Sequence, residues 1–419
     1  MVEAPVRTME EVLKNPGYVI LMEGEPGAGK TTVALASCAA RGSCTYISYA
    51  EPEASLRKKL KNINAGSGEG IHIINMMSGD LNIAFSEIES ALRKGEMVVV
   101  DSVDAMFYAI KDDKDIRPFL QLIYSSVKNK KGSLILISEG LNPVANHIRF
   151  VCDAIISVER PEVLGWRARS AIIKKDRDGV ISTPLNYFTF DGGFRILKPL
   201  HLTAEPEITR FSGLKLSPEA EASNTGIGGF NNMLELDLDV ADMRSRLYRE
   251  LLAAHFLEKG YTVNFMAGPE EDESEIVNSV NQILGGKTSK LNVFLPEPEA
   301  LGYSARAYFN DLIQKYPSDH SVNLINLLCD EDFAVNAPKE YEMFTRLIAR
   351  ENNNKKRLAI LVGYKNQEAA RIQSKYANAF RRMTVTDGFL FWRSIRPIGP
   401  LYMVQMRPEA GTMEFIRMI

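Results

Sequence analysis

The chain has 419 residues, of which 45% are hydrophobic and 25% charged, with 50 basic against 53 acidic side chains and a net charge of −3. That balance excludes a disorder-dominated chain and offers no overall basic field for nonspecific nucleic-acid binding, while the length exceeds one ordinary core of about 150 residues. Cys38, Cys44, Cys152 and Cys329 are scattered without a CxxC pair, and the apolar runs fall far short of a membrane span of about 18 residues. Reduced thiols, no membrane segment and a cytoplasmic location are the expectation.

In chain order, the first half alternates short apolar runs with helix-like segments. Tyr18 to Met22, Thr45 to Tyr49, Ile71 to Ile74, Met97 to Val100, Leu134 to Ile137 and Ala154 to Val158 read as strands of a parallel sheet. Arg169 to Lys174 and Leu185 to Phe190, bracketed by Asp178-Gly179 and Asp191-Gly192-Gly193, read as antiparallel strands that finish the domain. Pro199, Pro206 and Pro218 lie in an aperiodic polar stretch that marks a connection. The second half repeats the alternation, with helices over Arg244 to Glu258 and Glu273 to Leu284. Its strands are Thr262 to Met266, Leu291 to Leu295, Val322 to Leu327, Leu358 to Val362, Gly388 to Trp392 and Leu401 to Met406. The expected fold class is α/β, two mostly parallel sheets flanked by helices, the second a much altered copy of the first. The expected domains are 1–200, a linker at 201–223, and 224–419.

Gly24-Glu25-Pro26-Gly27-Ala28-Gly29-Lys30-Thr31 satisfies G-x-x-x-x-G-K-[ST] and stands between a strand and a helix that opens at Thr32. Glycines there let successive N–H groups face phosphate oxygens, and the following helix adds its positive end. Lys30 would reach the outer phosphates of ATP, the Thr31 hydroxyl would ligate Mg2+, and Thr32 would complete the phosphate contacts. Glu96 to Asp101 is an apolar strand ending in a carboxylate, which places Asp101 at the same magnesium shell.

These residues resemble the RecA-superfamily ATPases of the KaiC type, which share the loop Gly-x-Pro-Gly-x-Gly-Lys-Thr and the strand ending Asp-Ser. Two RecA-like domains are what the likeness implies. In that family two adjacent glutamates follow the second strand, the first being regarded as the base for the attacking water. The matching pair here is Ala50-Glu51, so the resemblance leaves Glu51 as the catalytic carboxylate and implies slow hydrolysis. It further implies that Ser138, ending Leu134 to Ser138, senses the γ-phosphate, and that Lys175 and Arg177 match the Lys-x-Arg hairpin that reaches a neighbour's nucleotide in a homo-oligomer. The whole chain resembles the archaeal GvpD-like proteins, named for a gas-vesicle regulator, through Asn15-Pro16-Gly17-Tyr18, Gly226-Ile227-Gly228-Gly229-Phe230, Leu401-Tyr402-Met403-Val404 and the segment Met413 to Ile419.

After Gly226 to Phe230 the family leads one to expect a second phosphate loop, yet Leu234 to Asp242 contains no Gly-Lys-Thr and carries Asp237, Asp239 and Asp242. A triphosphate would meet like charge there. The second domain is therefore expected to be a degenerate copy that packs, oligomerises or recognises a partner. Glu270 to Glu273 is expected to favour the start of its helix, and Arg350 to Arg357 to be a solvated loop. The functional expectation is an ATP-driven regulatory switch acting through a protein partner. A nonhydrolysing ATP-dependent binding module and a DNA-repair mediator are the rivals, so nucleic acid stays open as a partner.

Overall fold

The computed structural model describes residues 6–63, 68–77, 81–108, 113–129, 132–140, 143–181, 184–197, 199, 213–215, 231–237, 243–267, 271–294, 299–315, 321–326, 331–355, 358–363, 367–377, 379–396, 398–407 and 412–418. The chain divides into two compact units, 1–198 together with 418–419, and 199–417.

Among the described residues the main sheet of the first unit has nine strands: β1 (Val19–Glu23), β2 (Cys44–Ser48), β3 (Ile71–Asn75), β4 (Met97–Asp101), β5 (Ser133–Ser138), β6 (Ala154–Glu159), β7 (Ser170–Asp176), β8 (Leu185–Thr189) and β9 (Arg195–Leu197). Their order across the sheet is β9-β8-β7-β6-β1-β5-β4-β2-β3. Neighbours from β6 to β3 run parallel, and β7, β8 and β9 are added antiparallel at one side. The central strands β1, β2, β4 and β5 are buried at every position, which is why they read as unbroken apolar runs.

Alternate residues of β1 enter two different cores. Ile20 and Met22 pack with α1 (Lys30–Arg41) and α2 (Glu53–Asn62) through Val33, Ala34, Leu56 and Leu60. Val19 and Leu21 pack on the other face with α3 (Leu81–Arg93), α4 (Val103–Phe107), α5 (Asp113–Lys128) and α6 (Pro143–Val151) through Ile88, Met106, Leu120 and Ile148. Helices on both faces of a largely parallel sheet make this a RecA-like arrangement.

One expectation about the cysteines is corrected. Cys38 near the end of α1 and Cys44 at the start of β2 are joined by a disulfide, with Cα atoms 5.3 Å apart. Gly42 ends α1 in a left-handed conformation (φ +81°) and turns the chain back, so residues six apart come face to face. Cys152 is a buried free thiol, and Cys329 lies outside the described residues.

The second unit has its own ten-stranded sheet: β10 (Gly213–Lys215), β11 (Asn231–Asp237), β12 (Thr262–Met266), β13 (Leu291–Phe294), β14 (Ser321–Asn326), β15 (Leu358–Gly363), β16 (Ala379–Thr386), β17 (Phe389–Arg396), β18 (Leu401–Arg407) and β19 (Thr412–Arg417). Their order is β10-β19-β18-β17-β16-β11-β15-β14-β12-β13. Beyond the extra edge strand β10, each position holds the strand numbered ten higher than its counterpart in the first sheet, and parallel and antiparallel pairings coincide as well. The internal repeat is thus legible in the topology.

Three local readings of the second half change. β11 begins directly after the glycine-rich Gly226 to Phe230, so Asp237 ends a strand, while Asp239 and Asp242 lie outside the described residues. Gly213–Lys215, inside the stretch expected to be a connection, pairs with Thr412 to Glu414 as the edge strand. Arg350 to Lys355, expected as a loop, continues α7 (Pro338–Lys355), because Tyr341, Phe344 and Ile348 bury one stripe of that helix and carry its polar end along. No helix among the described residues is long and apolar enough to cross a membrane.

Candidate nucleotide site

The phosphate loop runs from the end of β1 to the start of α1, at the carboxyl edge of the parallel strands. Gly24, Gly27 and Gly29 all take positive φ (+151°, +78° and +113°), so the loop needs residues without a Cβ at these three positions. Lys30 opens α1 and is buried; its Nζ donates to the carbonyls of Gly24 (2.7 Å) and Glu25 (3.0 Å). Burial lowers the ammonium's pKa, and the charges of Glu139, Asp101 and Asp104 oppose that shift. A phosphate would supply the anionic partner this cation is built to meet.

Thr31 points to the neighbouring strand end. Its Oγ1 donates to Asp101 Oδ2 at 2.8 Å, and the buried Tyr46 hydroxyl on β2 donates to the same oxygen at 2.6 Å. Burial first, then the negative charge of Asp101 and the bond to it, raise the Tyr46 pKa, so the phenol stays a donor. Magnesium prefers hard oxygen ligands and is commonly held by one or two carboxylates together with substrate phosphates and water. The Thr31 hydroxyl beside the Asp101 carboxylate fits that donor set. Among the described residues no group of three or more His, Cys, Asp or Glu could hold a metal ion. Replacing Tyr46 with Phe keeps the buried ring but leaves Asp101 less firmly oriented. The magnesium concentration needed for half-maximal ATP binding should rise roughly three- to tenfold, about 0.7–1.4 kcal/mol. An unchanged or lower requirement in a magnesium titration would remove Tyr46 from this role.

The far side of the loop is gripped by the antiparallel strands. Arg169 donates from Nη1 to the Ala28 carbonyl (2.9 Å), and its guanidinium lies over the Phe190 ring at 5.3 Å. A Cβ on Gly29 would meet both side chains. Pro26 and Glu25 form the exposed tip, and Thr32 follows on the first turn of α1.

The remaining expected site residues are placed as follows. Glu51 accepts from Ser55 Oγ (2.8 Å) and forms an ion pair with Lys59. Burial would raise its pKa, but the bonds from Lys59 and Ser55 and the Lys59 charge outweigh it and hold the carboxyl below its ordinary value. Ser138, fully buried at the end of β5, donates to Asp104 Oδ1 (3.0 Å). It stands beside Glu23 in the β1–β5 register, next to the phosphate loop. Lys175 and Arg177 lie elsewhere. Asp176 pairs with Ala154 at the start of β6, whereas the loop follows the other end of the sheet, where Glu23 pairs with Ser157. Lys175 Nζ donates to the carbonyls of Arg149 (2.8 Å) and Cys152 (2.7 Å), and Arg177 to the carbonyl of Phe150 (2.7 Å) and to Tyr124 (3.1 Å). The structure therefore gathers Lys30, Thr31, Asp101 and Ser138 at one edge and sets Lys175 and Arg177 at the opposite edge.

Tyr46, Asp104, Glu139 and Arg169 join the site without having been singled out. Asp104 had a faint signal, three residues after Asp101 at a helix start; Tyr46 and Arg169 act across 55 and 141 residues of sequence and had none.

Residues 14–199 match the family model described as ATPase: KaiC. The first unit carries a KaiC-like ATPase domain of the RecA/P-loop superfamily. No curated protein matches the chain.

Proposed function

We propose that the protein is a slowly hydrolysing, ATP-operated switch of the RecA/KaiC type that regulates a process through a protein partner. The observation that carries the reading is the convergence of buried Lys30 with the Thr31–Asp101 pair at the carboxyl edge of the sheet, a cation for phosphate beside an oxygen donor set for magnesium. ATP would hold one conformation and loss of the γ-phosphate would release it. The GvpD-like resemblance supports the regulatory role. The second unit would serve recognition: between β11 and the helix Met243–Glu258 the sequence is Leu238-Asp239-Val240-Ala241-Asp242, with neither glycine nor lysine to cradle phosphate. Lys175 and Arg177 face away from their own loop, so a role at a nucleotide belongs to another copy and needs release of their bonds to Arg149, Cys152 and Phe150.

Equilibrium dialysis of the full chain with labelled ATP and magnesium is expected to give one nucleotide per chain. Two per chain would overturn the division of labour between the units. A second reading, a binding module that holds ATP without turning it over, is favoured by Ala50 and by the engagement of Glu51 with Lys59 and Ser55. Phosphate release indistinguishable from a protein-free blank would select it.

A further inference from the structure

Several carboxylates stand near the phosphate loop: Glu23 at its start is paired with Arg149 and Lys174, Glu25 sits on its exposed tip, and three more are committed to partners. Asp101 accepts from Thr31 and Tyr46. Glu51 is held by Lys59 and Ser55. Asp104 accepts from the Ser138 hydroxyl at 3.0 Å and from the backbone N–H of Glu139 at 2.7 Å, fixing the turn that follows β5. Glu139, the residue after β5, is not committed in this way. Its side chain is exposed, and among the described residues its carboxylate has no hydrogen-bond partner.

The sheet register fixes where Glu139 stands. β5 lies between β1 and β4, with Ser138 opposite Glu23 on one side and Ile137 opposite Asp101 on the other. One step further along, Glu139 emerges between the first residue of the phosphate loop and the end of the strand that carries Asp101. It is also the foremost negative charge acting on Lys30. A carboxylate so placed, with its backbone anchored by Asp104 and its side chain exposed, stands within electrostatic reach of the lysine that would grip the phosphate chain.

We propose that Glu139 is the general base for the attacking water, taking the place left empty at Ala50. The inference rests on the ATP-site reading above. As the water oxygen bonds to the γ-phosphorus, the bond from that phosphorus to the oxygen bridging to the β-phosphate breaks. The water's proton passes to the Glu139 carboxylate and then to solvent; ADP and inorganic phosphate leave. No oxidant or further reactant enters. The Asp104 bonds to Ser138 and to the Glu139 N–H set the reach of the base, so Asp104 acts as a positioning residue.

The test uses the full chain with MgATP, comparing wild type, Glu139→Gln and Glu51→Gln by calorimetry, phosphate release and chromatography of bound nucleotide. Glu139→Gln keeps size and leaves the backbone N–H that Asp104 holds, so the affinity for MgATP should stay within about threefold while kcat falls about a hundredfold or more, in the range general-base removal gives. Nucleotide recovered from this variant should remain ATP after an incubation that converts it to ADP in wild type. Glu51→Gln should keep at least a third of the wild-type rate. A Glu139→Gln variant that turns over at more than a third of the wild-type rate, or no more slowly than Glu51→Gln, would overturn the assignment, as would a wild type that binds MgATP without hydrolysing it. A wild type that fails to bind MgATP would overturn the underlying ATP-site reading, a separate and recognisable result.

Discussion

Lys30→Ala is expected to weaken MgATP binding by about a hundredfold or more, close to 2.7 kcal/mol, while the far-ultraviolet circular dichroism of the chain stays unchanged. Two effects act in the same direction. The variant loses charge-assisted hydrogen bonds from a buried ammonium to phosphate, which are worth more than neutral ones because little water competes there. It also leaves Glu139, Asp101 and Asp104, the anions acting on this lysine, without the cation that offsets them, so the incoming phosphates meet uncompensated negative charge. The fold should tolerate the change, because the carbonyls of Gly24 and Glu25 that now receive Nζ lie in an irregular loop with Glu25 exposed, and water can replace the lysine there. Calorimetric affinity within threefold of wild type would mean that phosphate is gripped by other groups.

Why this much was legible in advance follows from how local the phosphate loop is. Its chemistry sits in eight consecutive residues, and the strand before it and the helix after it are fixed by an apolar run and by the left-handed glycine at Gly29. The sheet of the first unit was readable for a similar reason: strands buried on both faces need continuous apolar runs. β11 illustrates the opposite case. Asn231-Asn232-Met233-Leu234-Glu235-Leu236-Asp237 contains asparagine and acidic residues that disfavour strands on their own, and it forms one because β15 and β16 pair with it on both sides. The acidic run at Glu270 to Glu273 was partly legible. Asp272 does cap its helix through Ser274 and Glu275, but Glu271 turns instead to the buried Arg249, a partner 22 residues away that local pattern cannot reveal. Within the site the same divide holds. Lys30, Thr31 and Asp101 announce themselves by spacing, whereas Tyr46 reaches Asp101 only because β2 and β4 are neighbours in the sheet.

Gly24→Ala should be the most damaging single methyl in the phosphate loop, and damaging to the fold before it is damaging to binding. Gly24 has φ +151°, a conformation L side chains rarely adopt, and a Cβ there would lie 2.1 Å from the backbone carbonyl oxygen of Val158. That oxygen cannot swing aside as a flexible side chain could. Val158 sits inside β6, is fully buried, and pairs with Ala171 of β7, so relief requires prying the start of the loop away from the strand beside β1. Backbone strain of about 1–3 kcal/mol and overpacking of about 1–3 kcal/mol give a combined loss of roughly 2–4 kcal/mol once part of the strain relaxes. In a unit of this size that lowers the thermal midpoint by about 5–15 °C. Gly27→Ala is the control. Gly27 also has positive φ (+78°), but a Cβ there meets nothing within 4 Å, so only the conformational cost of about 1 kcal/mol applies and the midpoint should fall by a few degrees. The pair separates close approach from backbone conformation: if thermal unfolding shows Gly24→Ala no less stable than Gly27→Ala, the contact between the phosphate loop and β6 is looser than 2.1 Å implies, and the loop is held by α1 and Arg169 alone.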